Sequence, residues 1–183
     1  MSSIGEVVKI LSRSNCIKLG NFVLSSGGES KIYIDLRAIL SHPRELKSLV
    51  KLCCRVVGEL EFDILAGVES SGIPLATALA LELEKPMIYV RKEAKGHGLR
   101  KKVEGDVQPG AKALIVDDVA TTGSSIEDAA KALRSEGLLV SDAFVVVDRE
   151  EGADERLAKQ GVRLSSLTTL SRITSMLDNL GGG

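Results

Sequence analysis

The chain has 183 residues, of which 44% are hydrophobic and 27% are charged, and its formal net charge is −1. This is the composition of an ordinary globular domain that is long enough to bury a sizeable core. The near-zero net charge gives no bulk attraction to nucleic acid or to an anionic membrane, so we expect neither as a partner. Cys16, Cys53 and Cys54 lack metal-ligand spacing, which indicates buried or free thiols in a reducing compartment. The N-terminus has no long apolar run and does not resemble a signal peptide. We therefore expect the cytoplasm.

The first third of the chain predicts a helix, a hairpin and a second helix. The first helix extends to about Ser14. Apolar segments at 22–24 and 31–36 flank a Ser-Ser-Gly-Gly turn, which is typical of a hairpin and predicts a small hood. Segment 43–60 predicts a helix with Pro43 in its first turn.

Four apolar runs in the rest of the chain predict buried strands. They are near-continuous rather than alternating, which is typical of parallel strands covered on both faces, and helical patterns such as 73–83 lie between them. We therefore predict a doubly wound, mainly parallel α/β sheet with flanking helices, in a single domain over 1–183 with a hood at 1–40 and a core at 41–183. Ligands of such sheets bind beyond the carboxyl ends of the strands. The predicted strands are 64–68, 87–90, 113–116 and 143–147.

The most informative segment joins the third of these strands to a helix. Asp117 and Asp118 follow the strand, and a loop of small hydroxylated residues with Gly123 leads to a helix in which Ser124 and Glu127 have the spacing of a capping box. A helix N-terminus and hydroxyl groups suit a phosphate, whereas paired acids suit sugar hydroxyls or the surroundings of Mg²⁺. The pattern therefore indicates a ribose 5-phosphate. The alternative is a solvated acidic turn before an ordinary capped helix.

This segment, Val-Asp-Asp-Val-Ala-Thr-Thr-Gly-Ser-Ser, resembles the motif that binds phosphoribosyl pyrophosphate (PRPP) in type I phosphoribosyltransferases. It does not have the Gly-x4-Gly-Lys pattern of a Walker loop. The resemblance implies that the loop holds the 5-phosphate of PRPP and that the two acids hold its ribose hydroxyls. It assigns PRPP contacts to Asp117, Asp118, Val119, Ala120, Thr121, Thr122, Gly123, Ser124 and Ser125.

A basic segment rich in glycine follows the second predicted strand and contains Arg91, Lys92, Lys95 and His97. Such a segment can close over a polyanion such as pyrophosphate and exclude water, although a solvated loop or a nucleic-acid patch is the alternative. Its sequence, Arg-Lys-Glu-Ala-Lys-x-His-Gly, resembles the mobile catalytic loop of orotate phosphoribosyltransferases. The resemblance implies that all four residues contact PRPP. It also implies a homodimer with shared active sites, in which Arg91 lies near its own site and the other three act across the interface.

The base is expected at the end of the last predicted strand, where Arg149 follows. An arginine can pair bidentately with the carboxylate that distinguishes orotate from uracil, adenine and hypoxanthine. The alternative is a surface ion pair with Glu150 or Glu151. The family resemblance adds a hydrogen bond between Thr121 and orotate, and a hood over the base in which Tyr33 is either an edge or stacking contact or a core residue.

The turn at 69–74 resembles the pyrophosphate loop of the same family, with a simple strand-to-helix turn as the alternative. Many bacterial members carry lysine at the positions of Ser25 and Ser71, where it would contact orotate or pyrophosphate, so fewer cations are expected around these ligands here.

These features predict the transfer of the 5-phosphoribosyl group from PRPP to N1 of orotate, which gives orotidine 5′-monophosphate and pyrophosphate. The resemblance implies Lys95, His97 and Asp118 as catalytic residues, with Lys95 or His97 as a proton donor to the leaving group. It implies Mg²⁺ as a cofactor that PRPP carries, without a direct protein ligand. One alternative is a phosphoribosyltransferase for a purine or uracil, in which Arg149→Ala would be nearly silent. Another is a regulatory protein that senses PRPP without chemistry.

Overall fold

The computed structural model describes residues 4–23, 29–93 and 102–181. In chain order the strands are β1 (Ile17–Val23), β2 (Glu29–Ile34), β3 (Ile64–Val68), β4 (Met87–Val90), β5 (Val103–Glu104), β6 (Lys112–Ala120), β7 (Leu139–Asp148) and β8 (Arg163–Thr169). The α-helices are α1 (Ile4–Arg13), α2 (Pro43–Val57), α3 (Gly72–Leu83), α4 (Ser124–Ser135), α5 (Ala153–Ala158) and α6 (Leu170–Gly181). A 3₁₀ helix, Leu36–Ser41, precedes α2. No helix among the described residues is both long and apolar enough to cross a bilayer.

Within the described ranges, six strands form one sheet in the order β5-β4-β3-β6-β7-β8. The pairs from β4 to β8 are parallel, and only the short edge strand β5 runs antiparallel to its neighbour β4. The chain passes from β3 to β4 on one side and then crosses to β6 on the other side of β3. The strand order therefore reverses between β3 and β6, and this switch point is where α/β sheets form ligand crevices.

The centre of the sheet is covered on both faces, as the unbroken apolar runs predicted. Leu114 and Val116 of β6 belong to a core with α1, α2 and α3, whereas Ala113 and Ile115 belong to a second core with α4 and α5. Successive side chains of a strand point to opposite faces, so a strand between two helical layers is apolar at every position. Each fully buried leucine or isoleucine contributes about 1.5–3 kcal/mol, and these contacts fix the strand ends that carry the polar residues.

The hood consists of β1 and β2, which pair as an antiparallel hairpin separate from the main sheet. The rings of Phe22 and Tyr33 stack across it in a tilted arrangement, with centroids 5.4 Å apart. Ile32 and Ile34 of β2 are buried in the core that α1 and α2 share, and this contact holds the hairpin against the sheet.

The structure confirms the doubly wound α/β class and each of the four predicted strands, but β6 and β7 are longer than predicted. The extension of β6 to Ala120 means that both acids lie within the strand rather than after it. Strand β8 was missed because its sequence, Arg-Leu-Ser-Ser-Leu-Thr-Thr, carries only two large apolar side chains. A polar strand is tolerated there because β8 is the last strand of the sheet and is only partly covered.

Candidate active site

Two adjacent carboxylates lie near the carboxyl end of β6, beside the switch point. Oδ1 of Asp117 accepts the backbone N–H of Asp118 at 2.9 Å, and Oδ1 of Asp118 accepts that of Val119 at 2.8 Å. Asp117 is buried, and its burial, followed by the negative charge of Asp118, raises its pKa well above the ordinary carboxyl value. The positive charge of Lys92 opposes this pKa shift. Asp118 lines an open cleft, so its carboxylate is accessible to a ligand.

The phosphate loop, residues 121–125, turns β6 into α4. Gly123 precedes the helix with φ of +77°, a conformation that favours glycine. A Cβ atom there would also lie 3.1 Å from Cα of Ala153, so the loop packs directly on the start of α5. The hydroxyl-bearing residues Thr121, Thr122 and Ser124 line a pocket at the N-terminus of α4. Unpaired amides and the helix dipole make this pocket suitable for a phosphate.

The predicted capping box is wrong. Gly123 occupies the N-cap position and makes no side-chain cap. The carboxylate of Glu127 instead accepts hydrogen bonds from Nζ of Lys131 at 2.6 Å and from Nη1 of Arg156 at 3.1 Å. These bonds hold the pKa of Glu127 below its ordinary value, and the bond from Arg156 joins α5 to α4. The first-turn amides of α4 are therefore left available to a ligand.

The turn between β3 and α3 lies on the other side of the switch point. Its Glu69–Ser70 peptide bond is cis, and Oε2 of Glu69 accepts the backbone N–H of Lys92 at 2.9 Å. This hydrogen bond ties the ends of β3 and β4 together. Gly72, the first residue of α3, lies so close to β6 that a Cβ atom would collide with the carbonyl oxygen of Val116. The glycine brings the turn beside the two acids.

One cleft collects residues that the sequence assigned to PRPP, to the base and to the hood. Its volume is about 430 Å³, and it lies between the hood, the two turns and the end of β7. Its polar lining includes Tyr33, Arg37, Ser70, Ser71, Lys92, Asp118, Thr121 and Arg149. Ser70, Asp118 and Arg149, which lie far apart in the chain, thus meet because the parallel strands β3, β6 and β7 end at one edge.

The basic segment is described only in part, because Lys95 and His97 lie outside the described residues, as does Ser25. Lys92 lines the cleft of its own chain, which differs from the expectation that it acts across an interface. Arg91 lines an adjoining pocket with Ser124 and Ser125, and its Nη1 lies 3.9 Å from Oε1 of Glu104. The two cations thus approach the phosphate loop from the side of β4.

Arg149 is held inside the cleft rather than on the surface. Its side chain is 6% exposed, and its Nε donates to Oε1 of Glu151 at 2.7 Å. Its Nη2 is buried and has no hydrogen-bond partner in the described part of the chain. The ion pair with Glu151, which was the alternative to base recognition, therefore exists, but its arginine is buried and still has an unpartnered Nη2.

Arg37 is a cleft residue that sequence reasoning missed. It lies in the 3₁₀ helix after the hood, and its Nε donates to Oδ1 of Asp35 at 2.7 Å. Both residues line the cleft, and the hydrogen bond from Arg37 lowers the pKa of Asp35. The available signal was a charged pair just after the predicted hood strand, at the start of an apolar segment.

The potential metal ligands at the end of β6 are carboxylate oxygens, which are ligands that Mg²⁺ prefers. Among the described residues, no cluster of three or more histidine, cysteine, aspartate or glutamate side chains has the geometry to hold a metal ion. Asp118 presents its carboxylate to the cleft, so it can meet an ion that a ligand brings with it.

A family model for the phosphoribosyl transferase domain matches residues 35–168, which include both turns and all of the cleft lining except Tyr33 and Ile34. The fold, the acid pair and the phosphate loop together define a phosphoribosyltransferase. The chain is 46% identical over 169 residues to the orotate phosphoribosyltransferase of Pyrococcus abyssi (strain GE5 / Orsay), across 91% of this chain and 92% of the relative. It is also similar to the crystal structure of orotate phosphoribosyltransferase from Aeropyrum pernix, with a TM-score of 0.87 and 45% identity over 97% of this chain and 99% of that one.

A third similar structure is that of Mycobacterium tuberculosis H37Rv orotate phosphoribosyltransferase in complex with PRPP. Its TM-score is 0.73, with 26% identity over 92% of this chain and 99% of that chain. The chain belongs to the orotate phosphoribosyltransferase family.

Proposed function

We propose that the protein transfers the 5-phosphoribosyl group of PRPP to N1 of orotate and releases pyrophosphate. The observation that carries this proposal is Arg149, a buried guanidinium with an unpartnered Nη2, in the same cleft as Asp118 and Thr121. A carboxylate on the base gives this donor a partner. Uracil and purines have no carboxylate and would leave it unpaired in a buried site, at a considerable cost in free energy.

PRPP is positioned by the elements around the switch point. The phosphate loop and the N-terminus of α4 take the 5-phosphate, and the hydroxyl groups of Thr121, Thr122, Ser124 and Ser125 supply further donors. Asp117 and Asp118 accept hydrogen bonds from the ribose hydroxyls. The ribose then lies between β3 and β6 with its C1 atom toward the cleft that contains Arg149.

The base approaches from the side of β7 and the hood. Its carboxylate pairs with Arg149, and Thr121 hydrogen-bonds the ring. Tyr33, which stacks with Phe22 and lines the cleft, contacts the ring from the hood. These contacts bring N1 of orotate close to C1 of the ribose, and such positioning is a large part of the rate enhancement in group transfer.

The leaving pyrophosphate develops negative charge as the C1–O bond breaks with oxocarbenium character. Arg91 and Lys92, together with Lys95 and His97, are proposed to stabilise that charge, with Lys95 or His97 as the proton donor to the leaving oxygen. N1 of orotate loses its proton as the N1–C1 bond forms, and this proton passes to solvent and replaces the one that was donated. Mg²⁺ carried by PRPP supplies neutralisation of the phosphate charge. Asp118 acts at the ribose, where it stabilises positive charge near C1. Closure of the basic segment excludes water and suppresses hydrolysis of PRPP.

We also propose that the protein acts in the cytoplasm as a homodimer whose active sites are shared. Lys95 and His97 of one protomer then serve the cleft of its partner, whereas Arg91 and Lys92 serve their own. Mixing inactive Lys95→Ala and Arg149→Ala proteins should restore activity, because hybrid dimers regain one intact site. The expected recovery is up to about a quarter of the wild-type rate if protomers exchange freely. A monomer in light scattering, or no recovery after exchange, would contradict this arrangement.

The reaction is tested by the ultraviolet absorbance of orotate. Loss of the signal that depends on protein, PRPP and Mg²⁺ together supports the proposal. A folded protein that binds PRPP but leaves orotate unchanged would remove orotate as the substrate, and other bases would then be assayed with the same protein.

A further inference from the structure

The position of Arg149 depends on a hydrogen bond to a neighbouring acid. Nε of Arg149 donates to Oε1 of Glu151 at 2.7 Å, and the glutamate side chain is itself 23% exposed. Buried polar groups in folded proteins nearly always have a partner, so the unpartnered Nη2 marks the side of the guanidinium that a ligand is expected to complete.

A guanidinium is planar and carries donors along more than one edge. A partner at Nε fixes the plane of the group and leaves the other edge in one orientation. A carboxylate ligand needs that orientation, because fork-to-fork pairing requires two nearly parallel N–H···O bonds. An arginine without the Nε partner would lose this arrangement through rotation of its side chain.

The backbone around the pair is fixed on two sides. The N–H of Arg149 donates to the carbonyl oxygen of Ala120 in β6 at 2.9 Å. Glu150 has φ of +62°, and its carboxylate accepts the backbone N–H and the hydroxyl of Ser171, both at 2.9 Å. The two adjacent glutamates therefore have separate tasks: Glu150 anchors the turn to the first turn of α6, and Glu151 contacts the arginine.

We infer that Glu151 is a positioning residue for the base: it orients Arg149 so that the free edge of the guanidinium meets the carboxylate of the substrate. This inference rests on the proposed function and names a residue through which Arg149 obtains its specificity for orotate. The negative charge of Glu151 offsets the positive charge of Arg149. The site therefore favours a carboxylate that fits the free edge of the guanidinium over other anions.

The test compares Glu151→Ala and Glu151→Gln in steady-state assays with orotate and PRPP varied separately. Glu151→Ala should raise KM for orotate by roughly tenfold to a hundredfold, the range expected for loss of a hydrogen bond to a charged group. KM for PRPP should stay within about twofold, because the phosphate loop is not altered. Glu151→Gln keeps an oxygen acceptor for Nε, so its KM for orotate should be near that of the wild type.

Asp154→Asn, which removes an exposed carboxylate three residues away, is the matched control for charge and should leave both KM values unchanged. If Glu151→Ala does not fold, Glu151→Asp, which is one methylene too short to reach Nε, should show the same raised KM for orotate.

An unchanged KM for orotate in the shortened variants would overturn the inference. A lower KM would also overturn it, because Glu151 would then act only as a countercharge to Arg149. Equal defects in the alanine and glutamine variants would also overturn it. Failure of the proposed function is distinguishable, because wild-type protein would then not consume orotate.

Discussion

Burial of Asp117 makes its ionised form costly in the folded protein, because a carboxylate loses its hydration there. Its raised pKa means that the folded state binds the proton more tightly than the unfolded chain does. The contribution of this group to stability therefore decreases as pH rises from the ordinary value of 3.8 through the raised one. We expect Asp117→Asn to stabilise the ligand-free protein progressively more, relative to wild type, between pH 4 and pH 8.

The measurement is the difference in Tm between variant and wild type at each pH. Asp154→Asn is the control, because it removes an exposed carboxylate and should show no such trend. The same Asp117→Asn protein should bind PRPP more weakly, since a carboxylate acceptor for the ribose is lost. A difference in Tm that stays constant with pH would contradict the assignment.

Gly72 is the residue whose size decides how closely α3 approaches β6. Gly72→Ala places a methyl group against the carbonyl oxygen of Val116 and near Asp117, so the strand and the turn must separate. We expect a loss of about 1–3 kcal/mol in the free energy of unfolding, as for other overpacked sites. Chemical denaturation measures this loss. Gly72 is not among the glycines with positive φ, so the loss reflects collision, whereas Gly110→Ala, at φ of +88° with no atom near the added Cβ, gives the cost of backbone strain without collision.

At the scale of elements, the ion pair between Arg156 and Glu127 joins α5 to α4, the helix that presents the phosphate loop, and Lys131 of α4 pairs with the same carboxylate. Glu127→Gln should raise KM for PRPP several-fold and leave KM for orotate nearly unchanged, because α4 is less firmly held. The lowered pKa of Glu127 means that its contribution to stability is present above the ordinary value of 4.5 and is lost as pH falls below it.

The Glu127→Gln effect should weaken in high salt, since the pairs are near the surface. Glu155→Gln, an exposed acid of α5, is the matched control. Equal changes in both KM values would indicate a general loss of structure instead.

The sequence alone predicts those elements whose residues are determined by one local requirement, such as burial on both faces of a strand. The apolar runs of β3, β6 and β7 predicted the sheet because both faces are buried. The hydroxyl-rich loop lines a pocket at the N-terminus of α4, where a phosphate site was predicted, and Arg149 follows a strand as predicted. The capping box failed because Arg156 of α5, distant in sequence, bonds Glu127. Arg37 was missed because its place in the cleft depends on how the hood folds over the sheet.

At the scale of the whole molecule, the cleft joins elements from both halves of the chain, so a bound substrate should stabilise all of them together. With PRPP and Mg²⁺ at about one hundred times Kd, mass action adds roughly 2.7 kcal/mol to the free energy of unfolding. For a chain of this length that corresponds to an increase in Tm of about 5–10 °C. Thermal unfolding with and without PRPP measures it, and Asp118→Asn should reduce the increase.

The contact between Gly123 and Ala153 has a consequence for how the two substrates communicate. Ala153 begins α5 two residues after Glu151, so the residues that pack against the phosphate loop are continuous with the turn that carries Arg149. A ligand that orders the phosphate loop therefore also restricts the motion of the turn that carries Arg149, and the reverse holds as well. Thermodynamic reciprocity then requires that whatever factor PRPP applies to the affinity for the base, the base applies to the affinity for PRPP.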